Sequence, residues 1–491
     1  MTRSLSRRSL VQQGSALGAA AAFGKVGYSA AQDASPMASP AAEMDADFVA
    51  AQEQLLEDLK QYEGKTLKML SAVAGGKDPE EDALFAQEFE RLTGIKLELV
   101  HPTADYDQKR QSDLAAGVEY DLIYTNKQFM DVMVDQEVLT DLTEQVNGSA
   151  ILSNTTVIPA AEWDMVKYGD SIYSVFNKFE GSRMLTVRQD WLDKLGLEQP
   201  STLDELYDTF VAIRDGDPVG DGSKPIAFSA TGTYDFQPFF SGFGLRNGYT
   251  NADPESRSID YASDAAIPVY EFLNKCFTEG LIDPNFATQD MAAVRNQFMT
   301  DKVFSLCYWD TWIGLFNAQV TAASPDTEFV AAGIPAAADE NGNVTITRGQ
   351  PSVWVIPVNA PEPEMAFKVL EWWHTVPGIT LTSLGIEGND YTVTDGTYEL
   401  TEVGTTHAMD HGQPTPYNTN FRNPVGELPG LKDAQAITRE YASLDYYGPD
   451  WEPTIKPLVD EAIVKMILGD VTPADGVAAL QEELRGGGFI D

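Results

Sequence analysis

The 491-residue sequence predicts an α/β protein built from two lobes. From residue 67 onward, short apolar runs alternate with amphipathic segments, and this order of strand, helix and strand is typical of a parallel sheet with right-handed crossovers. A second series of the same kind begins near Met184. The chain is also longer than one ordinary hydrophobic core requires, which favours two α/β units over one.

The first series places a candidate binding residue at a strand end. Its strands are predicted at residues 67–73, 96–100 and 122–125. The first helix opens at Asp78-Pro79-Glu80-Glu81, which supplies an N-cap, a proline at the first helical position and an acidic third residue. Ligands of such sheets bind at the carboxyl ends of the strands. Asn126, directly after the third strand, is therefore a candidate site residue.

The second series repeats the alternation and ends one strand in an aromatic cluster. Helices are predicted at residues 190–195, 265–279, 291–299, 363–374 and 454–468, and strands at 184–187, 303–308 and 353–358. The cluster Tyr308-Trp309-Asp310-Thr311-Trp312 lies where the strand at 303–308 ends. Trp354 alternates with valines in an apolar run, and Trp372 and Trp373 lie within a predicted helix, so we predict that these three tryptophans are core residues.

The N-terminus has the pattern of a twin-arginine signal peptide. Arg7 and Arg8 precede an uncharged, Ala/Gly-rich run and the small-residue stretch Ser29-Ala30-Ala31. We assign residues 1–31 to the signal and 32–63 to a flexible tether and an acidic leading helix. The protein is then expected to be exported to the periplasm, the cell surface or the medium. No cysteine follows the apolar run, which excludes a lipid anchor there, while cleavage and retention of the signal both stay open.

The charge balance excludes one class of partner. The chain carries 33 basic and 75 acidic residues, a formal net charge of -42, so a nucleic-acid partner is not expected. Beyond the signal no run of about 18 apolar residues predicts a membrane span. Cys276 and Cys307 either form a disulfide or remain as two buried thiols, because sequence does not give the separation that decides between them.

Three stretches, in this order along the chain, carry a family resemblance. The first runs from Arg188 to Tyr207, the second is Glu279-Gly280-Leu281-Ile282-Asp283-Pro284 with Asp301-Lys302-Val303 and the aromatic cluster downstream, and the third is Gly385 to Thr392. Together they resemble the extracellular solute-binding proteins of carbohydrate ABC importers, in particular the large lipoprotein-like branch that binds oligosaccharides and alginate.

The resemblance implies a type II periplasmic-binding-protein-like fold, in which two α/β lobes are joined by a hinge and the ligand cleft lies between them. Because such chains cross between lobes more than once, we assign residues 64–180 plus 345–390 to lobe I and 181–344 plus 391–491 to lobe II. The implied function is the extracytoplasmic substrate-binding component of an ABC importer, which captures a sugar or oligosaccharide by hinge closure. Its expected partners are that solute and the membrane permease subunits, and the protein is expected to be a monomer.

Sugar sites combine aromatic platforms with hydrogen-bonding Asp, Glu, Asn and Arg side chains. In sugar binders of this type a tryptophan at the corresponding strand end stacks on the ligand, so one of Trp309 and Trp312 is expected to stack and the other to pack; the alternative is that both are core residues. Glu180 and Arg183, at the change of lobe, bind the ligand or pair with each other. The predicted ligand-binding residues are Asn126, Glu180, Arg183, Tyr234, Phe236, Tyr308, Trp309, Asp310 and Trp312.

A second implication of the resemblance concerns the loop from Asp217 to Pro225. Relatives often carry a calcium loop here, with oxygen ligands at alternate positions. In this chain Val219 takes the third position and Pro225 replaces a carboxylate, so Asp217 and Asp221 alone remain as candidate metal ligands. No cofactor is otherwise expected, and the alternative for this loop is a plain Gly/Asp turn.

No catalytic signature stands out in the sequence. His407 and His411 are four residues apart but no Glu follows His407, and the chain has no P-loop, dinucleotide fingerprint or G-x-S-x-G motif. We therefore expect a binding protein and not an enzyme. Two alternatives stay open, a secreted glycoside-active enzyme and the same fold with a peptide or charged small molecule as cargo.

Overall fold

A computed structural model describes residues 45–491, apart from residues 73–78, 103–105, 251–255, 337–343, 408–415, 417 and 449. The signal, most of the tether and His411 lie outside the described residues. No helix within the described ranges is both long and apolar enough to cross a membrane.

Strands and helices alternate through most of the chain. The strands are Thr66–Leu70 (β1), Lys96–Val100 (β2), Leu122–Asn126 (β3), Lys167–Tyr168 (β4), Ser171–Ile172 (β5), Ser174–Phe176 (β6), Arg183–Arg188 (β7), Ile226–Ser229 (β8), Val303–Trp309 (β9), Ala331–Ile334 (β10), Ile346–Arg348 (β11), Ser352–Val355 (β12), Tyr391–Thr394 (β13), Thr397–Leu400 (β14) and Ala442–Leu444 (β15). The helices are Ala46–Leu59 (α1), Pro79–Thr93 (α2), Tyr106–Ala115 (α3), Lys127–Asp135 (α4), Thr143–Gly148 (α5), Ala160–Asp164 (α6), Gln189–Leu195 (α7), Leu203–Asp215 (α8), Gln237–Ser241 (α9), Ile267–Thr278 (α10), Met291–Met299 (α11), Asp310–Ala323 (α12), Pro363–Trp373 (α13), Val376–Ser383 (α14), Glu402–His407 (α15), Leu431–Tyr441 (α16), Lys456–Leu468 (α17) and Pro473–Gly486 (α18).

The first lobe is built on a five-stranded sheet of order β2-β1-β3-β12-β6. β1 pairs in parallel with β2 and β3, as the sequence predicts, whereas β12 is antiparallel to both of its neighbours. Trp354, Trp372 and Trp373 are at most 1% exposed, which confirms their prediction as core residues. Phe48 and Leu55 of α1 are buried in the same core, so the leading helix is part of this lobe.

The second lobe is built on a four-stranded sheet of order β10-β7-β9-β8. β8 and β9 are parallel, while β7 is antiparallel to β9 and β10. Its core is rich in aromatic rings and includes residues of α10, α17 and α18. Because β7 and β9 are antiparallel neighbours, the first residue of β7 and the last residue of β9 lie at the same edge of the sheet.

The helix termini show why the sequence signals located these elements well. The Asp290 carboxylate accepts a hydrogen bond from the backbone N–H of Ala293 at 2.8 Å and caps α11, whose predicted and observed bounds coincide. Thr202 caps α8 in the same way. Gly196 ends α7 at a φ of 66°, in the left-handed region that glycine adopts without strain.

Two crossing segments, residues 177–182 and 345–351, connect the sheets. The second contains β11, which pairs in parallel with β15 to form a small ribbon. The Arg348 guanidinium in this ribbon forms a buried ion pair at 2.8 Å with Glu162 of the first lobe. The ribbon is therefore bound firmly to the first lobe through one side chain of β11.

The return of the chain to the second lobe comes later than the boundary after residue 390 that we drew from the sequence. Asn418 donates a hydrogen bond to the carbonyl of His374 at 2.8 Å, and the N–H of Thr419 donates to the carbonyl of Val157 at 3.0 Å. Both acceptors belong to the first lobe. From Leu428 and Pro429 onward the chain packs on α12 of the second lobe, and α16 packs on both α12 and β10.

Candidate functional site

The predicted site residues of the second lobe meet at one edge of its sheet. Arg183, the first residue of β7, lies directly opposite Trp309, the last residue of β9. Because β8 and β9 are parallel and both end here, this is the carboxyl edge, where α/β proteins bind their ligands. We call it the second-lobe edge, and the crossing segment that contains Glu180 runs directly into it.

Trp309 is half-buried and lies against the crossing segments. A Cβ atom added at Gly349 would be 3.2 Å from the Trp309 ring and 3.0 Å from Cγ of Glu180. Glycine at this position thus lets the tryptophan ring and the glutamate meet beside the second crossing segment. An aromatic ring next to a carboxylate at a change of lobe is the chemistry that a sugar site requires.

Arg183 is a buried cation below the aromatic side chains of this edge. Its Nη2 donates hydrogen bonds to the Asp235 carboxylate and, at 3.0 Å, to the carbonyl of Cys307. The guanidinium carbon is 4.9 Å from the centre of the Tyr234 ring and 5.8 Å from that of Trp309. The charge of Arg183 is therefore neutralised by Asp235. Its guanidinium also holds the rings of Tyr234 and Trp309 in place.

Glu180 does not pair with Arg183, which excludes one of the two roles considered from the sequence. Its carboxylate accepts a hydrogen bond from the Ser352 hydroxyl at 3.1 Å and lies 3.4 Å from the Lys178 ammonium group. The Ser352 contact joins the first crossing segment to β12 of the first lobe. Glu180 is thus held at the boundary between the lobes, with its side chain next to Trp309.

Asp310 has a structural position that the sequence did not indicate. It is 1% exposed, and its carboxylate accepts hydrogen bonds from the Thr438 hydroxyl and the Thr311 N–H, both at 2.7 Å. A Cβ atom at Gly181 would overlap with this carboxylate. Both carboxylate oxygens accept hydrogen bonds, one from Thr438 of α16 and one from Thr311 of α12. Asp310 therefore links these elements and is not placed as a ligand contact.

Trp312 and Tyr308 pack together on the side of the second-lobe edge that faces α11. Trp312 contacts Tyr308 edge-on at 5.3 Å between ring centres and Phe316 at 5.6 Å, and the Arg295 guanidinium lies 4.4 Å from its ring centre. Tyr308 is only 4% exposed. Of the two tryptophans, Trp312 is the one packed against Tyr308, Phe316 and Arg295. Trp309 is therefore the candidate for stacking on a ligand.

The two aromatic residues predicted in the loop after β8 have opposite environments. Tyr234 is half-buried above Arg183, and burial raises the pKa of its hydroxyl. Phe236 is fully buried among Phe228, Phe239 and Phe286 in the core of the second lobe. A ligand at the sheet edge therefore has Tyr234 within reach, whereas Phe236 lies beneath the surface.

Asn126 is the predicted site residue that lies on the sheet of the first lobe. Its side-chain oxygen accepts a hydrogen bond from the backbone N–H of Phe129 at 2.9 Å, so it is the N-cap of α4. It also lies opposite Ser352 in the register of β3 and β12. The residue thus begins a helix at the carboxyl edge of the first sheet, the position we expected, and uses its oxygen for capping.

Sequence reasoning missed a buried carboxyl group next to the crossing ribbon. Asp445 is 4% exposed and accepts hydrogen bonds from the hydroxyls of Thr347 at 2.7 Å and Tyr447 at 3.2 Å. Burial raises its pKa to about 6, although Arg246 lies 3.6 Å away. No motif marks this aspartate, because two of its partners, Thr347 and Arg246, lie on β11 and in the loop after α9, far away in sequence.

Asp445 gives the protein a specific pH dependence of stability. Since its pKa is raised above the ordinary value of 3.8, the folded state holds the proton more tightly, and the stability that protonation provides is lost as the pH rises from about 4 to about 6. We expect Asp445→Asn to gain on the order of 2 kcal/mol relative to wild type between these pH values. Urea unfolding at both pH values measures this difference, and a variant-to-wild-type gap that stays constant with pH would contradict it.

The loop that resembles a calcium site holds itself together by its own hydrogen bonds. The Asp217 carboxylate accepts hydrogen bonds from the N–H groups of Gly220 at 2.8 Å and Gly222 at 3.1 Å. Asp221 accepts one from Ser223 at 2.8 Å, and this hydrogen-bonding holds its pKa below the ordinary value. Both carboxylates accept turn hydrogen bonds, and Val219 and Pro225 stand where a calcium loop needs oxygen ligands, so the residues present fit the Gly/Asp turn. Within the described ranges, no three His, Cys, Asp or Glu side chains cluster as metal ligands would.

The two thiols are buried and do not form a disulfide. Cys276 lies on α10, and Cys307 lies on β9 below Arg183. Burial raises the pKa of each thiol to about 12. Of the two alternatives that the sequence left open, the structure has the pair of buried thiols, which are inert at neutral pH.

Two α/β lobes joined by two crossing segments, with aromatic and charged side chains where these segments meet the second-lobe edge, are the architecture of a two-lobed binding protein. The sequence profile of the bacterial extracellular solute-binding proteins matches residues 75–375, which is more than half of the chain. The chain belongs to this family.

Individual relatives agree with this assignment. The chain is 31% identical over 211 residues to the fructooligosaccharide ABC transporter substrate-binding protein FusA of Streptococcus pneumoniae, an alignment that spans 37% of this chain and 38% of that protein. It is 22% identical over 325 residues to the polygalacturonan/rhamnogalacturonan-binding protein YtcQ of Bacillus subtilis, covering 61% of this chain and 64% of that one. The chain therefore spans less than two thirds of the length of these two relatives.

The fold is shared with solved structures of the same class. The HMO-binding solute-binding protein associated with an ABC transporter of Bifidobacterium longum infantis superposes with a TM-score of 0.63 at 18% identity, over 87% of this chain and 96% of that one. The comparison confirms the two-lobed, periplasmic-binding-protein-like fold predicted from the sequence.

Proposed function

We propose that the protein is the extracytoplasmic sugar-binding component of an ABC importer, which captures a sugar or oligosaccharide between its lobes and delivers it to membrane permease subunits. The observation that carries this proposal is the half-buried Trp309 ring beside Glu180 at the crossing segments. A pyranose or furanose offers an apolar face to such a ring and hydroxyl groups to the neighbouring carboxylate. The carbohydrates named for the relatives support the same class of ligand.

Binding is favoured over catalysis by the state of the carboxylates around Trp309. Asp235 is bound to Arg183, Asp310 is hydrogen-bonded to two elements, and Glu180 contacts Ser352 and Lys178. Glycoside hydrolysis would need two carboxyl groups facing one sugar bond. Prolonged incubation with oligosaccharides is the test, because release of shorter products would establish the rival enzymatic function.

A thermal-shift screen tests the proposed ligand class directly. The panel consists of mono- and oligosaccharides, peptides and polyamines, each with and without a chelator of calcium. A sugar present at about a hundred times its dissociation constant stabilises the folded state by about 2.7 kcal/mol. Stabilisation by peptides or polyamines alone would show that the ligand is not a carbohydrate. Loss of stability with the chelator would contradict our proposal that the protein needs no calcium.

Hinge closure is the conformational prediction. A ligand that contacts both lobes favours the closed state, so the radius of gyration should fall when the ligand identified in the screen is added. Small-angle X-ray scattering of the monomer with and without this ligand measures the change. Identical curves at saturating ligand, with binding confirmed by calorimetry, would indicate a rigid site.

Export through the twin-arginine route is the prediction for the leader. Replacement of both Arg7 and Arg8 by lysine should leave the protein inside the cell, because this route recognises the arginine pair itself. Cell fractionation and immunoblotting measure the distribution, with the substitution of Arg3 by lysine as the matched control. Unchanged export of the double variant would show that a different route is used.

A further inference from the structure

Arg295 is a cation at the second-lobe edge without a counter-charge among the described residues. It lies on α11 and is half-buried. Its Nη1 donates a hydrogen bond to the Tyr308 hydroxyl at 2.9 Å, and its guanidinium covers the Trp312 ring at 4.4 Å. A guanidinium has five N–H donors, and no hydrogen bond to a described residue uses the remaining four.

Several other arginines of the second lobe and the crossing ribbon are neutralised by a carboxylate. Each of the following lies within 3.6 Å of one: Arg183 with Asp235, Arg188 with Asp190, Arg246 with Asp445 and Arg348 with Glu162. Arg257 and Arg439 share with Arg295 a contact to an aromatic ring and no ion pair to a described residue. Of these three, Arg295 contacts the aromatic cluster at the second-lobe edge, which places its free donors beside the candidate site.

The direction of α11 points the Arg295 side chain toward the binding edge. Met291, the first residue of the helix, has its sulfur 4.0 Å from the hydroxyl of Thr231, which lies two residues beyond the end of β8. The helix therefore begins at the carboxyl edge of the sheet. Long side chains on a helix lean toward its N-terminus, so the guanidinium of Arg295 leans toward this edge, consistent with its contacts to Tyr308 and Trp312.

The hydrogen bond to Tyr308 and the contact with Trp312 hold the guanidinium plane in one orientation. A preorganised guanidinium with free N–H donors matches a carboxylate, which it binds through two parallel hydrogen bonds. A neutral hydroxyl accepts one charge-assisted hydrogen bond, whereas a carboxylate accepts two and adds the attraction of its own charge. The net charge of the protein repels anions at long range, so an anionic ligand needs a local cation of this kind at its site.

Building on the proposed sugar-binding function, we propose that Arg295 is a specificity-determining residue that binds a carboxylate of the ligand, so that the protein takes acidic oligosaccharides, sugar chains that contain uronic acid residues. One sugar of the chain stacks on Trp309, and a neighbouring uronate reaches the guanidinium at Arg295. Trp312 then positions the cation and does not itself stack on the ligand.

The test compares trigalacturonate with its methyl ester, in which a methyl group on each carboxyl removes the negative charge, by isothermal titration calorimetry. Wild-type protein is expected to bind the acid about tenfold to a hundredfold more tightly than the ester. Arg295→Gln should remove this preference by weakening binding of the acid, while binding of the ester changes little. Arg485→Gln is the matched control, because it removes the same charge from a largely exposed position on α18.

The outcomes separate this inference from the proposed function. Equal affinity of wild-type protein for acid and ester would overturn the inference and leave sugar binding intact. Binding of a neutral fructooligosaccharide with neither galacturonate probe bound would do the same. If no carbohydrate in the screen binds, the proposed function fails and the inference fails with it. An equal loss of preference in the Arg485→Gln control would mean that overall charge, and not Arg295, sets the preference.

Discussion

Replacement of Trp309 by alanine is expected to weaken binding of the sugar ligand by about 2 kcal/mol or more, as for other aromatic anchors in binding sites. The ring is half-buried at the second-lobe edge, beside Glu180 and Gly349, where it can offer a face to a sugar. Calorimetry with the ligand found in the screen measures the effect. The unfolding temperature of the ligand-free protein should change little, since the ring is not part of the densest packing.

Trp312, three residues away, provides the comparison for the effect on stability because its surroundings differ. Its contacts with Tyr308, Phe316 and Arg295 are packing contacts. We expect Trp312→Ala to lower the free energy of unfolding by about 2 to 4 kcal/mol, somewhat less than for a fully buried aromatic side chain. If both variants lose stability and neither changes affinity, Trp309 is a core residue and the site lies elsewhere.

Replacement of Phe236 by alanine should lower the free energy of unfolding by about 3 to 5 kcal/mol without changing the affinity of the folded protein for its ligand. The side chain is fully buried, and the rings of Phe228, Phe239 and Phe286 would surround the cavity left behind. Urea unfolding and calorimetry measure the two quantities separately.

Tyr234, two residues earlier, is the control for Phe236. Its ring faces the Arg183 guanidinium and not the aromatic core, so Tyr234→Ala should cost less stability and should weaken ligand binding. A Phe236→Ala variant that loses affinity while keeping its stability would show that the phenylalanine, contrary to its position here, contacts the ligand.

The order of strands and helices followed from the sequence because the signals for it are local. The bounds of α11 came out correctly since Asp290 caps the helix through its own side chain. The core positions of Trp354, Trp372 and Trp373 followed from apolar alternation and helix placement alone. The aromatic cluster after β9 was located for the same reason, because the end of a strand and the carboxyl edge of a sheet coincide.

The roles of single residues in that cluster depended on distant parts of the chain. Asp310 is occupied by Thr438 of α16, and Phe236 packs against Phe286. Asp445 meets a partner on β11. Contacts of this range have no periodicity to reveal them, so sequence reasoning treated polar and aromatic residues near a strand end as equally available to a ligand. The three-dimensional structure alone shows which arginines pair with a carboxylate and that Arg295 has no such partner among the described residues.

The position of β12 in the first sheet has a consequence for how the protein is made. β12 lies between β3 and β6, although it follows both by more than 170 residues in sequence. During synthesis, β6 has no partner in this sheet until residue 355 has left the ribosome, and contacts of such long sequence separation form slowly. The first lobe therefore cannot complete its sheet as soon as residue 180 has been made, as an N-terminal domain of continuous sequence would. On an export route that accepts only finished folds, as proposed for the twin-arginine leader, the chain would have to stay in the cytoplasm until β12 has been made and has paired with β6.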